Sequence, residues 1–96
     1  MVDGDDTIVG LLVVSQDGTW IDQLYVDPSH TGHAIGSRLI DWAKEGAPGE
    51  LNLWTFGTNF GARRFYERHG FRAIAASDDN EEGAPALHYR WDRPVR

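Results

Sequence analysis

The hydrophobic period changes on either side of Asp27, and that change constrains this chain more than any other feature. Residues 20–26 (Trp-Ile-Asp-Gln-Leu-Tyr-Val) are rich in aromatic and β-branched side chains, which predicts a strand. Beyond Asp27 the apolar positions Ile35, Leu39 and Ala43 recur four apart, with Ile40 and Trp42 beside them, which predicts a helix. Gly32, Ala34 and Gly36 keep the turn between them low in side-chain bulk. A strand, a tight turn and a helix start aim unpaired N–H groups and the positive end of a helix dipole at one spot. That arrangement binds anions, phosphates above all. A turn kept small only for packing would look the same. Gly-x-Gly-x-x-Gly is absent and no Gly-Lys-Ser/Thr follows, so this is neither a dinucleotide fingerprint nor a Walker loop.

The remaining elements fall around this unit. Residues 8–14 are a continuous apolar run, too short for a good helix, and read as a buried strand. Ser15-Gln16-Asp17-Gly18 is a hairpin signal, so the strand over 20–26 returns antiparallel, with Asp22, Leu24 and Val26 on one face. The helix is expected over 35–44, stopping at Gly46 before Pro48-Gly49. A strand follows over 51–56. Thr58 or Asn59 then caps a second helix that carries Ala62, Phe65, Tyr66 and His69 on one stripe and ends at Gly70. Strands are expected over 71–76 and 87–91, joined by a polar loop over 77–85. The order β-β-α-β-α-β-β points to a mixed α/β sheet.

Composition narrows the function. Ninety-six residues, 41% of them apolar, suit one domain with a modest core. A net charge of −6 argues against nucleic acid as the main partner, because phosphate backbones demand a basic surface. The absence of cysteine excludes disulfides, thiolate metal sites and a cysteine nucleophile. The acidic N-terminus lacks the features of a signal peptide, and no apolar stretch approaches a membrane span, so a cytoplasmic protein is expected. His30 and His33 are a close pair without a third ligand at supporting spacing, and the acidic run over 78–83 lacks a calcium loop's alternation. No metal site is expected. Trp20, Trp42, Trp54 and Trp91 read as core or interface aromatics.

Two motifs carry a family resemblance. Leu24-Tyr25-Val26-Asp27-Pro28, followed by Thr31-Gly32-His33-Ala34-Ile35-Gly36-Ser37-Arg38-Leu39, resembles the acetyl-coenzyme A pyrophosphate loop of the GNAT N-acetyltransferases. That loop usually reads Arg or Gln, two residues, Gly, one residue, then Gly or Ala; here Thr31, Ala34 and Gly36 hold those positions. Asn59-x-x-Ala-Arg-x-Phe-Tyr-Glu-Arg-x-Gly-Phe71 resembles the family's second motif. The resemblance implies a single shortened domain over 1–96, with a mixed, mostly antiparallel GNAT-like sheet that lacks the family's opening strand and two helices. It also implies acetyl-CoA as co-substrate, contacted by Leu24, Tyr25, Val26, Thr31, Gly32, His33, Ala34, Ile35, Gly36, Ser37, Asn59 and Arg63.

The implied reaction moves an acetyl group to a primary amine, on a small molecule or a peptide, by direct attack through a tetrahedral intermediate. Tyr66 is the implied general acid, since a phenol with a pKa of about 10 is protonated near neutrality and can supply the leaving thiolate's proton. Strand N–H groups at Leu24 to Val26 would bind the thioester carbonyl. Asp22 ranks first as general base, ahead of Glu81, Glu82 and His88. A non-catalytic acyl-coenzyme A binding or interaction module on the same scaffold is the alternative. With the apolar run over 8–14 ill suited to a solvent edge, a homodimer is expected.

Overall fold

The computed structural model describes residues 9–27, 34–77 and 85–94. The chain forms two compact units, Met1–Pro48 and Gly49–Arg96.

In the first unit β1 (Gly10–Val14) and β2 (Ile21–Val26) form an antiparallel hairpin, and α1 (Ile35–Gly46) follows. The turn is built as Asp17-Gly18 requires. Gly18 takes φ 77°, its N–H donates to the Ser15 carbonyl at 2.9 Å, and the Ser15 N–H donates to the Trp20 carbonyl at 2.8 Å. Asp17 Oδ1 accepts from the Ser15 and Thr19 hydroxyls, each at 2.7 Å, and those bonds hold its carboxyl below the usual carboxylate range. Ile35 and Leu39 bury against Val9, with Leu12, Leu24 and Val26 packed around them. The opposite face of the hairpin leaves Leu11, Val13 and Tyr25 exposed. Gly46 is the last helical residue rather than a left-handed cap, and extended Ala47 ends α1 by donating to the Lys44 carbonyl.

A bulge between Val13 and Val14 pairs Val13 with Gln23 but Val14 with Ile21, leaving Asp22 unopposed. The extra residue reverses the side-chain alternation. Ile21 is therefore buried and Asp22 exposed, so Asp22 does not share the face of Leu24 and Val26 that regular pleating would give it.

In the second unit β3 (Glu50–Phe56), α2 (Phe60–Arg68), β4 (Arg72–Ser77) and β5 (Ala86–Asp92) make a three-stranded sheet in the order β3-β5-β4. The element order is the expected one, and every ladder among the described residues is antiparallel. The pairs Leu51–Trp91 and Leu53–Tyr89 lie across the β3–β5 ladder, and all four side chains are buried. The other face carries a polar row. His88 Nε2 donates to Asn52 Oδ1 at 2.9 Å, and Asn52 Nδ2 donates to Glu50 Oε2 at 2.8 Å. Arg90 joins Glu50 to Asp92, at 3.5 and 2.8 Å. Trp91 is buried, whereas Trp42 and Trp54 are half exposed.

Candidate functional site

The first unit brings the end of β2 to the start of α1. The Asp27 N–H donates to the Val9 carbonyl at 2.8 Å, which makes Val9 and Asp27 a hydrogen-bonded pair. Antiparallel ladders alternate bonded and non-bonded pairs, so Tyr25 opposite Leu11 is bonded to β1, while Leu24 and Val26 are not. The backbone N–H and C=O groups of Leu24 and Val26 therefore point to the edge of β2 away from β1, where no strand pairs among the described residues. Their side chains sit in the core under α1, and Tyr25 projects outward.

Ala34 is the N-cap of α1 in the left-handed conformation, φ 59° and ψ 21°, and its carbonyl accepts from the Arg38 N–H at 3.1 Å. It offers no side-chain cap, and the first turn of α1 contains no acidic residue. Neither device that normally offsets the positive helix end is present there. Ile35 and Gly36 are buried and Ser37 half-buried at this start. Thr31, Gly32, His33 and His30 lie outside the described residues, as do Glu81 and Glu82. An acyl-coenzyme fits these groups: strand-edge amides for an amide-rich arm and thioester carbonyl, and a helix start with no acid in its first turn for a pyrophosphate.

The second unit positions the other candidates on α2. Asn59 is its N-cap, with Oδ1 accepting from the Ala62 N–H at 3.2 Å, which leaves the Nδ2 amide group as its donor. The far end is a Schellman closure. Gly70 takes φ 88°, its N–H donates to the Glu67 carbonyl at 3.2 Å, and the Phe71 N–H donates to the Tyr66 carbonyl at 3.0 Å. The apolar contact that accompanies this motif is Phe71 on Tyr66, ring centroids 5.8 Å apart. The Gly70-Phe71 pair thus fixes the Tyr66 ring from below. Tyr89 flanks the same ring at 6.1 Å. Burial pushes the Tyr66 phenol above its ordinary value, which keeps it protonated through neutral and mildly alkaline pH.

Arg63, an expected coenzyme contact, hydrogen-bonds within its own unit. Its Nη1 donates to the Gly57 carbonyl at 3.0 Å and its Nε to the Tyr89 hydroxyl at 3.2 Å. Tyr89, fully buried, donates in turn to Glu67 Oε2 at 2.7 Å. Burial and the bond to Glu67 push the Tyr89 phenol up, against the opposing pull of Arg63. Sequence reasoning gave Tyr89 and Glu67 no part. The available signal was the one-turn spacing of Arg63 and Glu67, which reads as an ordinary surface pair. His88 holds Nε2 as a donor to Asn52 and stacks on Trp54 at 5.2 Å, so that nitrogen is not available as a base. Asp22 stands exposed at the bulge. Among the described residues no three His, Asp or Glu side chains group as a metal site, and no helix is long and apolar enough to cross a membrane.

Comparison with known proteins agrees with this geometry. The model of the acetyltransferase (GNAT) family matches residues 1–71. The peptidyl-lysine N-acetyltransferase YjaB of Salmonella typhimurium is 32% identical over 84 residues, covering 88% of this chain and 56% of that protein. The solution structure of apo-form YjaB from Escherichia coli superposes with a TM-score of 0.81 at 29% identity, over 94% of this chain and 60% of that one. A Bacillus anthracis protein assigned as a streptothricin acetyltransferase, solved in complex with acetyl coenzyme A, gives a TM-score of 0.74 at 27% identity, over 93% of this chain and 58% of that one. The chain spans about half the length of the curated relatives it matches. With the family match running through both motifs, this chain belongs to the GNAT acetyltransferase family.

Proposed function

We propose that the chain is an acetyltransferase that takes acetyl-CoA as co-substrate and acetylates a primary amine, with protein or peptide lysine as the acceptor class. The observation that carries this reading is the packing of the end of β2 against the start of α1: among the described residues, Leu24 and Val26 present backbone groups away from β1, and the first turn of α1 contains no acid. Acetyl-CoA supplies an activated acyl group on a thiol that leaves readily. The N–H groups at Leu24 and Val26 polarise the thioester carbonyl, while the motif over 31–37, with Thr31, Gly32, His33, Ala34, Ile35, Gly36 and Ser37, takes the pyrophosphate. Asn59 Nδ2 contributes a further donor. The amine nitrogen attacks the carbonyl carbon, the C–S bond breaks, and Tyr66 gives its phenolic proton to the departing sulfur, then regains one from solvent. Asp22, exposed at the bulge of the same strand β2, is the group assigned to accept the amine's proton.

The lysine acceptor is supported by the YjaB relatives, which are named peptidyl-lysine N-acetyltransferases, and by the net charge of −6, which attracts a cationic peptide. The family match crosses from one compact unit into the other, which supports treating 1–96 as one catalytic domain, and the chain's likeness to bacterial acetyltransferases supports a cytoplasmic setting. The exposed hairpin residues Leu11, Val13 and Tyr25 support a homodimer, whose interface should bury at least about 1,000 Å² and show as a doubled mass in light scattering.

Titration calorimetry with acetyl-CoA, followed by a panel of amines with thiol release as readout, tests the function. A bound coenzyme at 100 times its Kd should stabilise the chain by about 2.7 kcal/mol. Lack of binding at millimolar coenzyme overturns the reading, and binding without turnover on any amine returns the chain to an acyl-coenzyme A binding module.

A further inference from the structure

We propose that Tyr89 is a positioning residue for the transfer reaction, acting through α2 on Tyr66. The inference rests on Tyr66 as proton donor and extends that reading to the last strand. Helix α2 is nine residues long and buries no side chain fully, so apolar packing alone holds it loosely. Its firm attachments are polar. The Tyr89 hydroxyl, on the fully buried side chain at the centre of β5, accepts from Arg63 Nε and donates to Glu67 Oε2, so both its hydrogen-bonding roles go to the one helix. Arg63 also ties the Gly57 carbonyl, two residues before the Asn59 cap. Tyr66 lies between the two clamp residues in sequence, its ring against those of Tyr89 and Phe71. One hydroxyl thus sets the rotation and height of the helix that aims the proposed acid, and a displacement near 1 Å is enough to cost about 100-fold in rate.

Two features make this a positioning device rather than a general staple. Tyr89 has its hydroxyl committed at 2.7 and 3.2 Å to Glu67 and Arg63, so it is not itself the proton donor. And an Arg63–Glu67 pair one turn apart on an exposed helix face would stabilise the helix without Tyr89, whereas the observed bridge runs through the sheet.

The test is a double-mutant cycle on turnover, with Tyr89→Phe, Tyr66→Phe and both together, in the full chain. Tyr89→Phe should lower kcat about tenfold or more, leave KM for the amine and the Kd for acetyl-CoA near the parental values, and have no further effect in the Tyr66→Phe background. Glu67→Ala should mimic it, and Glu67→Gln, which still accepts the Tyr89 proton, should lose less. With 13Cζ-tyrosine NMR, the Tyr66 titration midpoint should fall towards the ordinary phenol value in Tyr89→Phe as water reaches the ring. An equal loss of kcat with and without the Tyr66 hydroxyl, or an unmoved Tyr66 titration, overturns the proposal. Parental turnover in Tyr66→Phe would instead overturn the proton-donor reading, and the two failures are distinct. Should Tyr89→Phe not fold, the exposed Glu67 variants carry the same comparison.

Discussion

Replacing Ala34 by glycine should stabilise the chain, against the usual rule for a helix terminus. Ala34 sits at φ 59° and ψ 21°, where the β-carbon of an L-residue crowds the following carbonyl at a cost of about 1–2 kcal/mol. Removing its methyl forfeits little packing, because the side chain is exposed. Glycine enlarges the unfolded ensemble, which takes back about 0.4–1 kcal/mol. It is also a better N-cap than alanine. The net gain is about 0.5–1 kcal/mol, or roughly 2–8 °C in Tm for a domain of this size. Urea unfolding with an unchanged m-value and a raised midpoint is the assay, and Ala34→Asn, which tolerates the left-handed region, should fall between the two. Since the family motif usually has glycine here, coenzyme affinity should hold or improve. A lower midpoint in Ala34→Gly would refute the left-handed turn and the pyrophosphate site built on it.

Two further outcomes follow from packing and titration. A β-carbon on Gly10 would stand 2.7 Å from Ile35 Cγ2 and 3.1 Å from Leu39 Cδ1, so Gly10→Ala should destabilise. Overpacking of this kind costs about 1–3 kcal/mol, and pairing Gly10→Ala with Ile35→Ala should cost less than the sum of the two, read by urea unfolding. Burial raises the phenol of Tyr66, so the native state holds that proton where the unfolded chain has begun to release it. Stability is then intact below the unfolded phenol value of about 10 and lost as pH climbs from there through the folded value. Tyr66→Phe should flatten that alkaline limb in thermal melts taken from pH 8 upward.

Local chemistry was legible in the sequence, and non-local geometry was not. Asp17-Gly18 announced the hairpin, Asn59 the start of α2 and Gly70 its end, because each residue's conformational preference is fulfilled within a few neighbours. The four-residue recurrence of Ile35, Leu39 and Ala43 placed α1 to within two residues at its C-terminal end. The bulge at Asp22 escaped, since it depends on how Val13 and Val14 pair across the hairpin rather than on any residue that signals it. That one extra residue moved Asp22 off the face assigned to it. Arg63 was placed by analogy of position, but its direction is decided by Tyr89, 26 residues away on a strand whose place in the middle of the sheet no local pattern reveals. His88 read as a candidate base until its ring met Asn52 across the ladder.

The most direct test of the central claim is thiol release from acetyl-CoA with a lysine peptide as acceptor, comparing the parent chain with Tyr66→Phe at saturating coenzyme. Turnover in the parent should fall by about 10²–10⁴ in the variant while the coenzyme's Kd stays the same, as expected for loss of a positioned general acid. Equal turnover in the two proteins would contradict Tyr66 as the proton donor, and absence of turnover in the parent would contradict acetyl transfer to lysine.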